Sequence, residues 1–492
     1  MIDQEAMLTA YMESSDPDAI LKQQLEETLR SATGTNKPQA LDHDDWPLKI
    51  FLCGYAGAGN VGADVRVHEI LRQFRHLWDK NIELRLSAID RKACAFFADL
   101  AEIREMVYLP VFLPEMTSWA DMSVACEGSL FKSNFADTLS LAMLASLAFA
   151  NQAGKPAVAY GAEAGVMSTD LQKFTKEFCV GSTVFCRNQQ SMGIVSETGL
   201  DALAGVDTAW SFDPEKPAWA RQQLRQSGWD GQRPLIAVCP VNPYWWPVSA
   251  DPEKFAAFSA DGSHAGSHYG FLYFHAESEE ITRRFQAYIQ AIAEAATTWG
   301  EKHGAHIVIV GMDRVDRAAC MALAGELSTA HSVFTSPEFD PAGIVSVLRQ
   351  AKLLVSSRFH AIVCSMSAGV PSVGLAYDER VRNVLTDSGQ KNLILPIEEG
   401  LSATALSDAM EEAWEQRTPI ADQLKHFAAR QLLAQGAMGR SLSLLVSECF
   451  PHLPLTVHSD KAADYLPPLS KELQDLLQQY GPVSEVSTKA AS

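Results

Sequence analysis

From residue 49 the chain alternates two hydropathy patterns. Short β-rich apolar runs (KIFLCGY, IELRLSAID, MSVACEG, PAVAYGAEAG and TVFCRN) are separated by longer stretches of helical spacing. That alternation predicts βαβ units on a mostly parallel sheet. A stretch rich in Pro, Gly and Trp, at about 211–233, interrupts the series. The pattern then restarts with LIAVCPV, HIVIVGM, LLVSSRFH and PSVGLAYD. The prediction is an α/β protein of two Rossmann-like, doubly wound domains facing a cleft, at 46–215 and 230–430, joined by a linker.

Three segments fall outside this scheme. Residues 1–45 carry ten acids against three bases, and QQLEETLR within them reads as exposed helix, an acidic helical extension. Residues 242–280 are too long and too aromatic for an ordinary connection. They read as a functional loop or lid that carries Trp245, Trp246, Tyr269, Phe271 and Tyr273, or as an insertion that only packs on the surface. Residues 431–492 form a helical tail, with one amphipathic helix between prolines that either docks on the first domain or stays free.

Composition narrows the function. The 492 residues exceed what one core supports, which fits two domains. With 60 acidic against 40 basic residues, a broad electrostatic grip on nucleic acid is excluded. An anionic substrate then needs a local basic pocket. Nine scattered cysteines, mostly in apolar runs and without a CxxC pair, read as buried hydrophobes in a reducing compartment rather than as zinc ligands. An acidic N-terminus and the lack of a long apolar run predict a cytoplasmic chain without a transmembrane segment.

The candidate chemistry sits where parallel strands end. GYAGAGNVGAD places Gly57, Gly59, Asn60 and Gly62 between a strand and a helix, where glycines admit a ligand and the helix N-terminus favours an anion. Its G-x-G-x-x-G spacing, with Asp90 at the next strand end, also fits a dinucleotide site, and a tight turn without a ligand fits equally well. CEGSLF supplies Glu127, Gly128 and Ser129 at a second such turn, Glu127 being a base or a capping acid. Arg187, in VFCRNQQS with Ser191 four residues on, is placed to clamp a carboxylate or phosphate or to form a structural ion pair.

The most specific stretch is SSRFHAIVCSMSAGVPSVGLAYDER. A buried strand ends in Arg358 and His360, and a helix of small residues follows close to the sheet. Both side chains therefore belong to a strand-to-helix turn that faces a cleft rather than a core.

Together these segments resemble the polysaccharide pyruvyl transferase family, over about 49–395. Its members show GxxGxGNxGDE, D-x-x-x-x-G-G-G, R-D-x-x-S, and R-L-H-A followed by G-V-P and a strand ending in Y-D. Here these are GYAGAGNVGAD, DMSVACEGSLF, CRNQQS and SRFHAIVCSMSAGVPSVGLAYD. The resemblance implies a GT-B-like architecture and transfer of the enolpyruvyl carbons of phosphoenolpyruvate onto two hydroxyls of a sugar. A cyclic ketal forms and phosphate leaves, as in exopolysaccharide biosynthesis. It also implies that Arg187, Arg358 and His360 bind the donor or act on it, Arg358 and His360 being the catalytic pair. The chain departs from the family pattern at Ala63–Asp64, at Cys126–Glu127 and at Asn188, all in the first domain, where the acceptor is expected.

Phosphoenolpyruvate carries a carboxylate and a phosphate, and guanidinium groups from the two domains fit both. His360 is then the candidate acid and Glu127 or Asp64 a base toward the acceptor. The scheme needs no cofactor and no metal, although His264, His268 and His275 share one loop. Two other readings remain at this stage: a nucleotide-sugar glycosyltransferase of the same plan, and a homologue that binds without catalysis. The sequence leaves open the acceptor sugar, its attachment to a lipid, peripheral contact with a membrane, and the oligomeric state.

Overall fold

In a computed structural model of the chain, residues 4–32, 47–214, 216–270, 272–336 and 338–481 are described. The first α/β series forms one sheet from β1 (Leu48–Ala56), β2 (Ile82–Ala88), β3 (Glu102–Glu105), β4 (Met122–Ala125), β5 (Ser129–Phe131), β6 (Ala157–Ala164), β7 (Thr183–Cys186) and β8 (Asp201–Ala204). The order is β3-β2-β1-β4-β6-β7-β8, with β5 paired to the end of β6. Every pairing is parallel.

The second series begins at β9 (Leu235–Cys239). The insertion follows, with β10 (Ser249–Ala250), β11 (His268–Gly270) and β12 (Tyr273–Phe274). Then come β13 (His306–Gly311), β14 (His331–Thr335), β15 (Leu353–Ser356), β16 (Ser372–Ala376) and β17 (Ile394–Pro396). The second sheet runs β14-β13-β9-β15-β16-β17, again all parallel. In both sheets the order reverses beside the first strand, between β1 and β4 and between β9 and β15. Ligands bind outside the carboxyl ends of such strands. Helices cover both faces, so β4, β6, β9, β13, β15 and β16 are buried throughout.

The segment read as a linker is more ordered than its Pro, Gly and Trp content suggested. Pro217 opens a helix, Pro217–Gln226, whose Ala220 and Leu224 are fully buried and whose Trp219 packs against Gly343 of the second domain. Proline at a first helical position costs nothing, because that N–H has no partner within the helix.

Of the N-terminal helices, Gln4–Met12 is mostly exposed, as expected, and the second differs. The helix Pro17–Ala32 is not an exposed appendage: Leu21, Leu25 and Leu29 form a stripe at four-residue spacing, and Leu25 and Leu29 are fully buried in the first domain's core. The abundance of acids concealed that stripe. Within the insertion, β10, β12 and β11 form an antiparallel sheet that reaches the first domain, where the Val248 N–H donates to Phe135 O (2.8 Å).

The boundary drawn at 430 falls inside a 33-residue helix, Arg417–Cys449, about 50 Å long at 1.5 Å per residue. It starts against Gly369 and Gly389 of the second domain and reaches the first, where Gln435 donates to Ser211 (2.9 Å). The tail then docks on the first domain: the Thr456 N–H donates to Leu77 O (3.0 Å) and Gln73 to Tyr465 O (2.8 Å). Eight of the nine cysteines are buried and unpaired, and Cys449 is exposed. No described helix is long and apolar enough to cross a membrane.

Candidate active site

The glycine-rich turn after β1 does not stand open. Gly57 and Gly59 adopt φ of 75° and 81°, the left-handed region that glycine occupies without strain. Asn60 then caps the helix Val61–Trp78 by accepting from the Ala63 N–H (3.1 Å). This turn is bolted to the other domain. Val61 N–H donates to Met312 O (2.8 Å), Arg314 N–H and Ser336 Oγ donate to Gly59 O (3.0 and 2.8 Å), and Asn60 Nδ2 donates to Asp313 Oδ2 (2.7 Å).

The two glycines nearest the cleft make room for side chains of the protein itself. A Cβ on Gly62 would lie 2.1 Å from His360 Nδ1, and one on Gly128 would lie 2.1 Å from Arg187 Nη2. The Asp90 carboxylate caps the next turn by accepting from Lys92 N–H (2.8 Å).

Arg358 and His360 lie at the turn between β15 and the helix Phe359–Met366, as the strand and small-residue pattern predicts. Arg358 Nε lies 2.9 and 3.1 Å from the two carboxylate oxygens of Asp316, and its Nη2 also pairs with Asp316 and lies 3.6 Å from Asp313. His360 Nε2 crosses the cleft to within 3.3 Å of Asp207 Oδ2.

Asp207 joins the cations of the first domain to this histidine. Its Oδ2 also lies 3.0 Å from Arg187 Nη2 and 3.3 Å from Arg66 Nε. Burial works to raise the Asp207 carboxyl, but Arg187, Arg66 and His360 together hold it well below the usual range. Burial in turn pulls the His360 imidazole down to about 4, against the opposing attraction of Asp207. The free protein therefore holds a neutral histidine beside a charged carboxylate at pH 7.

Arg187 follows β7 and also pairs with Glu163 (3.3 Å) and with Gly161 O (3.2 Å). Glu127 lies on the cavity wall and accepts from Tyr55 N–H (3.2 Å). Burial raises its pKa, which Arg66 and backbone N–H groups partly offset. Asp64 does not line the cavity. It accepts from Gly57 N–H (3.3 Å), and burial, reinforced by Glu127 and Asp313, pushes it up to about 8. That makes Asp64 a protonated structural acid at neutral pH rather than a ready base. Asn188, which replaces an aspartate of the family pattern, keeps the capping role by accepting from Ser191 N–H (2.8 Å).

The cavity enclosed by these groups has a volume of about 780 Å³, including space open to solvent. Four cationic side chains face it, Lys132, Arg187, Arg358 and Arg380, against the carboxylates Glu127 and Asp313. Lys132, 1 % exposed, pairs with Glu379 (2.7 Å) across the domain boundary. Arg380 is oriented by Asp378 (2.7 Å) and Ser129 (3.3 Å). Sequence reading missed Asp207, Lys132 and Arg380. Arg380 had a signal, since it lies two residues beyond the Y-D that follows β16, and so had Lys132, which directly follows the CEGSLF turn; Asp207 lies in a stretch without a motif.

Of the insertion's aromatics, Trp246 and Tyr269 line the cavity. Trp245 instead stacks on His275 (3.9 Å), and Tyr273 turns away and donates to Asp18 (2.8 Å). Phe271 lies outside the described residues. No group of His, Cys, Asp and Glu that could hold a metal ion occurs among the described residues.

Two Rossmann-like domains closed over a cationic cleft define the two-domain GT-B class of fold, and known structures agree. The crystal structure of Anabaena HepE in complex with UDP-glucose is similar at a TM-score of 0.52 and 13% identity, covering 81% of this chain and 100% of that one. A Listeria monocytogenes structure named for UDP-N-acetylglucosamine 2-epimerase is similar at 0.50 and 12% identity, covering 82% of this chain and 96% of the other. At such identities the likeness is one of fold alone. No curated protein sequence matches the chain. The polysaccharide pyruvyl transferase family model matches residues 64–379, and the chain belongs to that family.

Proposed function

We propose that the protein transfers the enolpyruvyl carbons of phosphoenolpyruvate onto two hydroxyls of one sugar unit, in a polysaccharide or its precursor. The observation that carries this reading is the cluster of four cations in one cavity of a chain with twenty excess negative charges. A small ligand with two separate anionic groups fits such a cluster, and family membership supports the donor.

Arg358 and Arg187, one from each domain, take the phosphate and carboxylate, with Arg380 and Lys132 completing the cationic wall. A proton added to the methylene carbon makes the neighbouring carbon cation-like, and the first sugar hydroxyl adds there and loses its proton. Phosphate then leaves with the electrons of its C–O bond. The second hydroxyl closes the ketal ring, and its proton goes to phosphate. His360 supplies the first proton. Because it is neutral in the free protein, it becomes charged when the anionic donor settles against it. Glu127, whose basicity burial raises, receives a hydroxyl proton.

The test is phosphate release from phosphoenolpyruvate with a panel of sugar acceptors, with the ketal product identified by mass. Binding of UDP-glucose in place of phosphoenolpyruvate would replace this reading with nucleotide-sugar transfer. Donor binding without release for any acceptor would mark a binding homologue.

A further inference from the structure

A second cavity opens beside the first. It encloses about 1190 Å³, including space at its mouth, and shares Tyr55, Ala58, Leu139 and Tyr269 with the cationic cleft. These four side chains form a wall common to both spaces.

Their chemistry is opposite. The floor of the second cavity is made by Leu21, Ile89, Met106, Ala142 and Leu272. Four of its hydroxyl-bearing side chains, Tyr55, Tyr108, Tyr273 and Thr138, present carbon, because their hydroxyls are already engaged. Tyr55 donates to Leu139 O and Tyr108 to Gln24 Oε1, while Tyr273 and Thr138 both donate to Asp18 Oδ1 at 2.8 Å. No lysine or arginine lines the cavity, and Glu105 is its only charged side chain among the described residues. At the mouth stand Leu8 and Val107, 44% and 59% exposed. Part of this wall comes from the N-terminal helices Gln4–Met12 and Pro17–Ala32.

A groove lined mainly by carbon, with most of its hydroxyls already partnered, selects for hydrocarbon, because burying an unpaired polar group there is costly. The cleft next to it selects for anions and hydroxyls. One occupant that satisfies both is a molecule with a sugar head and a hydrocarbon tail, and Glu105 disfavours placing its anionic end outermost. We propose that the groove receives the hydrocarbon chain of a lipid-linked acceptor whose sugar lies in the cleft near Trp246 and His360. The sugar end of this assignment rests on the transferase reading; the hydrocarbon end rests on the groove alone.

Calorimetry on the full chain tests it with methyl, n-hexyl and n-decyl phosphate, below micelle-forming concentrations. Each methylene moved from water into the groove is worth about fourfold in affinity. The decyl compound is expected to bind about 10²-fold more tightly than the hexyl, and the hexyl more tightly than the methyl. Val107→Asp at the mouth and Ala142→Phe in the floor should each reduce the hexyl-to-decyl gain below about tenfold, with phosphoenolpyruvate binding unchanged.

A flat series with intact phosphoenolpyruvate binding overturns the groove assignment and leaves the transferase reading standing. A steep series without phosphoenolpyruvate binding does the reverse. If both variants bind the decyl chain as tightly as the unaltered protein, the hydrocarbon lies elsewhere and the proposal fails. It fails too if a second copy of the chain covers the groove. The protein would then sediment as a dimer that Val107→Asp dissociates and that takes up no decyl phosphate.

Discussion

His360 and Asp207 meet across the domain boundary, Nε2 to Oδ2 at 3.3 Å, and the aspartate is shared with Arg187 and Arg66. A proton on His360 is thus tied to closure of the cleft and to the charge inside it. In His360→Asn, shape and much of the donor affinity should survive while turnover falls by roughly 10² to 10⁴, the range for losing a general acid. Phosphate release and calorimetry on the same preparation separate the two effects. Full turnover would remove His360 from the chemistry.

Donor binding should take up a proton. The imidazole sits near 4 in the free protein, so it is neutral at pH 7, and an arriving anion draws it upward. Calorimetric heats measured at pH 7 in buffers of different ionisation enthalpy should reveal uptake of up to one proton in the unaltered protein and much less in His360→Asn. Equal heats in all buffers would contradict the scheme.

Arg358 holds Asp316 through Nε and Nη2, a planar arrangement that an ammonium group does not reproduce. Arg358→Lys keeps the charge but leaves buried Asp316 with a one-point partner, so the melting temperature should fall, and the donor Kd should rise by about 10- to 100-fold, on the order of one charged hydrogen bond. An unchanged Kd would make Arg358 structural.

Asp64 gives a pH signature of known sign. Its pKa is about 8 in the fold against an ordinary 3.8, so the native state binds more protons between these values. Stability contributed by the neutral carboxyl is therefore lost as pH rises toward 8. His360 acts oppositely between about 4 and 6.5, where the unfolded state binds more protons and stability rises with pH. Above pH 6.5 the Asp64 slope remains without this offset. Asp64→Asn should melt higher than the unaltered protein at pH 8 by several degrees, at about 2–4 °C per kcal/mol for a domain this size, with the gap narrowing toward pH 5. Parallel melting curves across this range would refute the assignment.

Trp246 lines the cavity whereas Trp245 stacks on His275. Trp246→Ala should raise the acceptor KM about 3- to 10-fold, the worth of one aromatic contact, with donor KM unchanged. Trp245→Ala should lower the melting temperature without that selectivity. An acceptor KM indifferent to Trp246 would place the sugar elsewhere.

The two sheets were legible because buried parallel strands are written as continuous apolar runs, and Arg358 and His360 because they interrupt such a pattern at a strand end. Asp207 was not legible. Its role arises from a carboxylate, an imidazole and two guanidinium groups brought together by the fold, with 153 residues separating it from His360. The glycines were half legible: spacing announced close approach at Gly62 and Gly128, but the approaching atoms belong to the protein's own His360 and Arg187. The helix Pro17–Ala32 was misread because charge density hid a three-leucine stripe that only the packing against the first domain makes visible.

The contrast between an acidic chain and a cationic cleft bears on kinetics. An anionic donor diffusing toward the protein meets a repulsive far field before it meets the arginines. Salt screens exposed charges beyond about 8 to 10 Å but hardly weakens contacts inside a closed cavity. Most enzymes that capture anions with a basic surface slow down as ionic strength rises. Here the long-range part of the field has the wrong sign for capture, so adding salt removes an obstacle to encounter before it loosens the grip.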